Sequence, residues 1–163
     1  MKKLNLGCGK DIRMNDGWIN IDIRSGPGVN LVHDLGFPLP FAEGEVDEIL
    51  AQDVLEHFPI AMTQTLLRDW RRVLKVGGVA VIEVPDIKAQ AAQWLRGQVA
   101  GARPDQHIDA RFSEIVYGKQ DYPENTHYQL FTEDRFKIEL HAAGFIGWTF
   151  YSRGRALGVK AVK

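Results

Sequence analysis

The sequence is poor in cysteine, in any excess of charge of one sign, and in long apolar runs. Cys8 is alone among 163 residues, so no internal disulfide forms, and a chain of this length buries a sizeable core without one. Twenty Lys plus Arg stand against twenty-one Asp plus Glu, a formal charge of -1. No global field therefore draws the molecule to nucleic acid or anionic lipid. No apolar run approaches membrane-spanning length, and MKKLNLGCGK lacks the apolar core of a signal peptide. A cytoplasmic protein without membrane or nucleic-acid partners is the expectation. Repeats, low-complexity tracts and linkers are missing too, which leaves one domain over residues 1–163. What is present is ordinary for a soluble fold: 45% hydrophobic and 25% charged residues.

Strand and helix signals alternate as in α/β proteins. Lys3 to Leu6 reads as a strand broken by Gly7 and Gly9, and Trp18 to Ile23 as a second, stopped by Ser25, Gly26, Pro27 and Gly28. Val29 to His33 suggests a third strand and Val46 to Leu50 a fourth. Leu66, Trp70, Val73 and Leu74 recur at helical spacing, predicting a helix from about Ile60 to Leu74 that Gly77-Gly78 ends. Val79 to Val84 follows as a strand stopped by Pro85. An insert of helix-turn-helix character covers Ile87 to Gly118, with boundaries around Gly97 to Pro104. Thr132 is a candidate N-cap for a helix to Ala143, with Gly144 at its C-terminal end. Phe145 to Tyr151 and Ala156 to Val162 form a hairpin across Ser152 to Arg155.

The turn LNLGCGK lets backbone approach a ligand closely, since glycine has no Cβ to collide with it. A dinucleotide fingerprint needs a third glycine and a helix N-terminus aimed at a pyrophosphate. Ile12 stands in that glycine's place, and Lys10 to Gly17 leaves room for about one helical turn. S-adenosylmethionine carries no phosphate and tolerates the loss; NAD does not. Asp22, near the end of the second strand, is placed to accept from ribose hydroxyls. Asp34 is placed to accept from an adenine amino group or to cap a turn.

The order LNLGCG, GWINIDI, HDL, LPF, VDEILAQDVLEHF, RVLKVGG and IEVPD resembles the class I S-adenosylmethionine-dependent methyltransferases, and YGKQDYPENTHYQLFTEDRFKIELHAAGF resembles their tail. The resemblance implies an α/β, Rossmann-like, doubly wound and mainly parallel sheet with a C-terminal antiparallel hairpin. It places Gly7, Cys8 and Gly9 beside the methionine part of the cofactor, Asp22 at the ribose, Asp34 and Leu35 at the adenine, and Gln52 and Asp53 near the sulfonium. Leu6 and Ile23 flank the same set. The chain departs from the family at Asn5, where an acidic residue is usual, and at Arg24 to Gly28, too short for a helix. An extended return of five residues spans roughly 17 Å, enough to connect parallel strands. One sheet face is then thinly covered, to be closed by substrate, by the insert or by a second subunit.

Asp53, Glu56 and His57 in DVLEH share one face if the stretch is helical. The pattern resembles one that binds a divalent ion in some methyltransferases, but no second-helix histidine stands at matching spacing, so no metal is expected. His33, His107 and His141 have no motif around them. His127 follows the insert, residues 86–126, and with His57 makes up the candidate catalytic pair, as base or acceptor-orienting group. Trp94, Phe112, Tyr117 and Tyr122 are candidates for an acceptor pocket or for core. Cys8, with no histidine beside it in the sequence, is a compliant small residue and not a nucleophile. The expected function is methyl transfer to an oxygen or nitrogen of a small molecule or glycan by a monomer or homodimer. The alternative is a non-catalytic cofactor-binding or scaffold module of the same fold; an NAD-dependent reductase is disfavoured by Ile12.

Overall fold

A computed structural model describes residues 1–14, 17–99 and 101–163. Asn15 and Asp16, in the Lys10–Gly17 connection, and Ala100, at the insert's middle boundary, lie outside the described residues. One seven-stranded sheet is built from β1 (Lys3–Leu6), β2 (Trp18–Asp22), β3 (Leu31–Val32), β4 (Val46–Gln52), β5 (Leu74–Pro85), β6 (Gly147–Arg153) and β7 (Ala156–Val162). Its order is β3-β2-β1-β4-β5-β7-β6, parallel from β3 to β5, with the β6–β7 hairpin running antiparallel. The order reverses between β1 and β4, which opens a crevice at the carboxyl ends of those strands.

Side chains alternate across the sheet, so the register assigns each residue to a face. Leu4 and Leu6 align with Ile19 and Ile21 on one side, and with Ile49 and Ala51 on the other. The row continues through Ala80 and Ile82 to Ala161 and Val159. Helices α1 (Thr63–Val73) and α4 (Glu133–Ala143) cover this face, contributing Trp70, Leu67, Phe136 and Leu140 to the same core. The opposite face reads Lys3, Trp18, Glu48 and Val79 in one row and Asn5, Asn20, Leu50, Val81, Lys160 and Thr149 in the next. Among the described residues no helix follows β1 or β2, so this face is thinly covered, as the short connections predict.

Polar chemistry replaces the missing helix. Asn5 is buried and its Nδ2 donates to Asn20 Oδ1 (2.9 Å) and to the Asp11 carbonyl (2.7 Å). Asn20 Oδ1 also accepts from Arg13 N, and its Nδ2 donates back to the Arg13 carbonyl. The loop after β1 is thus fastened over the sheet by amides, which explains why Asn5 stands where an acidic residue is usual.

The α1 boundary differs from the periodicity. A 3-10 turn, Ile60–Met62, precedes α1, and β5 starts at Leu74, not Val79. Leu74 pairs with Val46, the ladder is then interrupted, and it resumes at Glu48–Val79. Gly77-Gly78 therefore belongs to an irregularity within β5 and does not end the helix; Gly77 N and Gly78 O bond to Lys163 instead. Thr132 caps α4 through Arg135 N, and Gly144 is its left-handed C-cap, both as expected. Phe145 follows that cap into the core, leaving β6 to begin at Gly147. The insert forms α2 (Ile87–Leu95) and α3 (Ile108–Tyr117), which pack on each other with Trp94 stacked on Phe112 at 4.9 Å. None of the described helices is long and apolar enough to cross a membrane.

Candidate functional site

The β1 turn is built for close approach. Gly7 and Gly9 have φ of 60° and 49°, and a Cβ on Gly7 would stand 2.7 Å from Val54 Cγ2. Cys8 is buried between them, its amide bonded to the Ile21 carbonyl. Burial, then Asp22, pushes its thiol pKa up, the opposite of what a nucleophile requires. Asp22 is 7% exposed; Oδ2 accepts from Gly9 N (2.8 Å) and Oδ1 from Arg24 N (3.0 Å). A carboxylate has about four acceptor sites, so capacity remains for a ligand. Leu6 is wholly buried in the core and offers this crevice only backbone, whereas Ile23 is 42% exposed. Asp34 is exposed and caps its own turn through Gly36 N (2.8 Å), next to buried Leu35.

Beyond β4 lies a cleft of about 700 Å³ between the strand ends and the insert. Gln52 and Asp53 line it; the β1 glycines, Asp22 and Asp34 do not. The two expected halves of a site thus lie on either side of β4. Sequence reasoning passed over Glu83, which is 4% exposed at the end of β5. Gln52 Nε2 donates to its Oε2 (2.5 Å) and the Tyr151 hydroxyl to its Oε1 (2.7 Å). Tyr151 lies across Gly158, where any Cβ would come within 2.3 Å of the ring. Burial, followed by the bond to Glu83, holds the phenol protonated. A carboxylate inside the apolar run VAVIEV is the signal that marks Glu83. Gln90 of α2 also lines the cleft, is 1% exposed and has both amide atoms unpartnered among the described residues, and no sequence pattern announced it.

The structure rearranges DVLEH. Asp53 takes φ 51°, and Leu55–His57 is a single 3-10 turn, so the helical spacing that would align Asp53, Glu56 and His57 does not exist. Instead His127 joins Glu56 and His57: one ligand-capable atom from each lies within 4.8 Å of the others. The two imidazoles meet edge to face, centroids 4.8 Å apart. His57 Nδ1 faces the Thr126 carbonyl (3.1 Å) and His127 Nδ1 the Ile115 carbonyl (2.9 Å). Carbonyls only accept, so each ring donates from Nδ1 and, when neutral, keeps a lone pair on Nε2. Burial lowers the pKa of both rings, keeping them neutral. Burial, then Asp53, drives the Glu56 carboxyl well up. Asp53 lines the cleft and is exposed, and the protein packed around it, by partly desolvating the group, raises its carboxyl too.

The insert reaches both halves. Tyr122 packs against the Arg24 guanidinium at 4.4 Å, and Arg24 lies 3.7 Å from Asp22. On the cleft side the insert and hairpin contribute Arg103, Arg111, Lys119, Arg153 and Arg155. The aromatic candidates do not line the cleft: Trp94 and Phe112 are spent on each other, and Tyr117 is 59% exposed. His107 caps α3 and His141 is exposed, in keeping with their lack of motif.

Residues 19–82 match a family model described as a methyltransferase domain. No curated protein sequence matches the chain significantly. Among solved structures, the chain resembles a SAM-dependent methyltransferase from Archaeoglobus fulgidus, with TM-score 0.66, 14% identity, and 99% of this chain and 86% of that one covered. It also resembles the 1,6-didemethyltoxoflavin-N1-methyltransferase of Burkholderia thailandensis, solved with bound 1,6-didemethyltoxoflavin and S-adenosylhomocysteine (TM-score 0.61, 17% identity, 99% and 70% covered). A SAM-dependent methyltransferase from Thermotoga maritima is similar at TM-score 0.64 and 15% identity, covering 99% and 82%. The sheet order and its antiparallel hairpin agree with these structures, so the chain has the fold of the class I, S-adenosylmethionine-dependent methyltransferases, and its residues 19–82 are similar to the methyltransferase-domain family.

Proposed function

We propose that the chain transfers a methyl group from S-adenosylmethionine to an oxygen or nitrogen of a small-molecule or glycan acceptor held in the cleft under the insert. The observation that carries this reading is the edge-to-face pair of imidazoles, His57 and His127, at the wall of a cleft also lined by Gln52 and Asp53, with Gln52 accepting from Arg13 of the loop after β1. The cofactor fits the residues present. Backbone around Gly7 and Gly9 is free of Cβ, Asp22 retains acceptor capacity, and no helix N-terminus, which a phosphate would require, occurs in Gly7–Met14. Leu6 by its backbone, Gly7, Cys8, Gly9, Asp22, Ile23, Asp34, Leu35, Gln52 and Asp53 would hold it. When bound, it supplies an electrophilic methyl group on a sulfonium.

The rest falls to the chain. The insert, residues 86–126, forms one wall of the cleft, and its Tyr122 packs on Arg24 beside Asp22. Nδ1 bonds to backbone orient both histidines, and the Nε2 of His127 receives or steers the acceptor's proton. Because the glycine-turn side and the cleft lie within one chain, a monomer suffices. The lone buried Cys8 suits a cytoplasmic setting.

Labelled cofactor incubated with metabolite and glycan pools tests the reading; failure to label any acceptor while cofactor binds would favour a non-catalytic module. Asp22→Ala should weaken cofactor binding by about 1–3 kcal/mol in calorimetry. Unchanged affinity would remove Asp22 from the site. His127→Asn keeps a donor near the Nδ1 position and should lose about a hundredfold or more in rate, with cofactor affinity and Tm preserved. An unaltered rate would withdraw His127.

A further inference from the structure

We propose that Glu56, His57 and His127 bind a divalent first-row transition-metal ion. Glu56 is 1% exposed, and neither of its carboxylate oxygens has a hydrogen-bond partner among the described residues. A buried carboxyl group left without partners is costly and rare, and calls for compensation. The nearest chemistry is two histidine nitrogens within 4.8 Å, both on rings without a counter-charge to offer while neutral. A cation from outside the chain satisfies all three groups at once.

The backbone prepares the site. Nδ1 of each histidine is held by a carbonyl, the arrangement that orients imidazoles for metal binding through the other nitrogen. The 55–58 turn is fastened to the segment carrying His127: Tyr128 N donates to the Glu56 carbonyl, and Gln129 Nε2 to the carbonyls of Leu55 and Phe58. Gln129 is itself held by Thr63 and Arg135. Ligand atoms of a tetrahedral site lie about 3.4 Å apart, so small side-chain rotations close the cluster.

Two imidazoles and one carboxylate favour Zn²⁺ or Co²⁺ over Mg²⁺, which prefers oxygen ligands and water. Exposure of the site to the cleft leaves room for a further ligand on the ion. In the methyl-transfer reading, on which this clause alone rests, an ion held by these three residues would steer the acceptor and make its heteroatom more acidic, with the acceptor's proton leaving to water in the cleft while the ion occupies His127 Nε2.

The test uses chelator-treated full chain titrated with Zn²⁺, Co²⁺ and Mg²⁺, without cofactor. Expected are one equivalent of Zn²⁺ in calorimetry, visible d–d bands with Co²⁺, and a Tm rise of about 5–10 °C at a Zn²⁺ concentration near 100 Kd. Mg²⁺ should give none of these. Glu56→Gln, which keeps the shape and removes the charge, and His127→Asn should each weaken Zn²⁺ by more than the roughly 10–100-fold that losing an outer hydrogen-bond partner costs. No Zn²⁺ uptake by wild type overturns the proposal, as does uptake that persists unchanged in Glu56→Gln. Cofactor affinity, measured separately, keeps the two readings apart: metal bound without cofactor binding would sink methyl transfer alone.

Discussion

The two faces of the sheet are made of one backbone and stabilised by different physics. One buries Leu4, Leu6, Ile21, Ile49, Ile82 and Val159 under α1 and α4. The other exposes Lys160 and Thr149, half-buries the ion pair of Lys3 and Glu48, and covers Asn5 and Asn20 with a loop instead of a helix. The first is held by apolar area and packing, which tolerate little loss of volume; the second by hydrogen bonds and ion pairs of smaller individual worth. Omitting helices thus did not strip the sheet. It replaced packing with amide chemistry confined to the β1–β2 end.

The largest way to break that contrast is Phe136→Ala. Phe136 is wholly buried and stacks on Phe131 at 4.7 Å, so the variant should lose about 3–5 kcal/mol in denaturant unfolding. Loss under about 1 kcal/mol would show that the covered face relaxes freely. Next comes Asn20→Ala, which leaves Asn5 Nδ2 and Arg13 N without their shared acceptor. About 1–3 kcal/mol should be lost, and amide exchange should speed in residues 11–13 while the α4 amides stay protected. Equal loosening of α4 would erase the distinction between faces.

The smallest effect concerns acid. Asp47 accepts from Lys2 N and from Lys75 Nζ (2.7 Å) at the edge of the open face. The Lys75 bond, then the Lys2 amide bond, holds its folded pKa below the ordinary 3.8. The stabilisation is therefore present above that ordinary value and lost as pH falls through the depressed one. Asp47→Asn should flatten the acid limb of Tm against pH slightly, lowering Tm a little at neutral pH and leaving it nearly unchanged once pH falls below the depressed pKa; an identical acid limb would assign Asp47 no part in it.

Much of this was legible in local chemistry. Thr132 and Gly144 announced the ends of α4 because caps act within one turn, and the β6–β7 hairpin was marked by alternation around Ser152 to Arg155. The glycine turn and Asp22 were equally plain, since conformational freedom and a strand-end carboxylate are properties of single residues. The start of β5 was hidden because Leu74 fits the apolar period of α1 yet pairs with Val46, a long-range choice. The aromatics of the insert were misleading for a similar reason: Trp94 and Phe112 consume each other's faces, which spacing alone does not express.

The sequence by itself determined the α/β alternation, the glycine turn and the short connections that leave no room for helices, for these follow from propensity, chain length and chemistry within a few residues. Only the tertiary structure decided which groups share a site. Asp53 and Glu56 are three positions apart, yet a positive φ parts them from the helical alignment that spacing suggests. Glu56 and His127 are far apart in the chain, yet bonds from Tyr128 and Gln129 to the 55–58 turn bring them together. Backbone torsion and long-range hydrogen bonding act across the fold, and no pattern confined to a short segment records them.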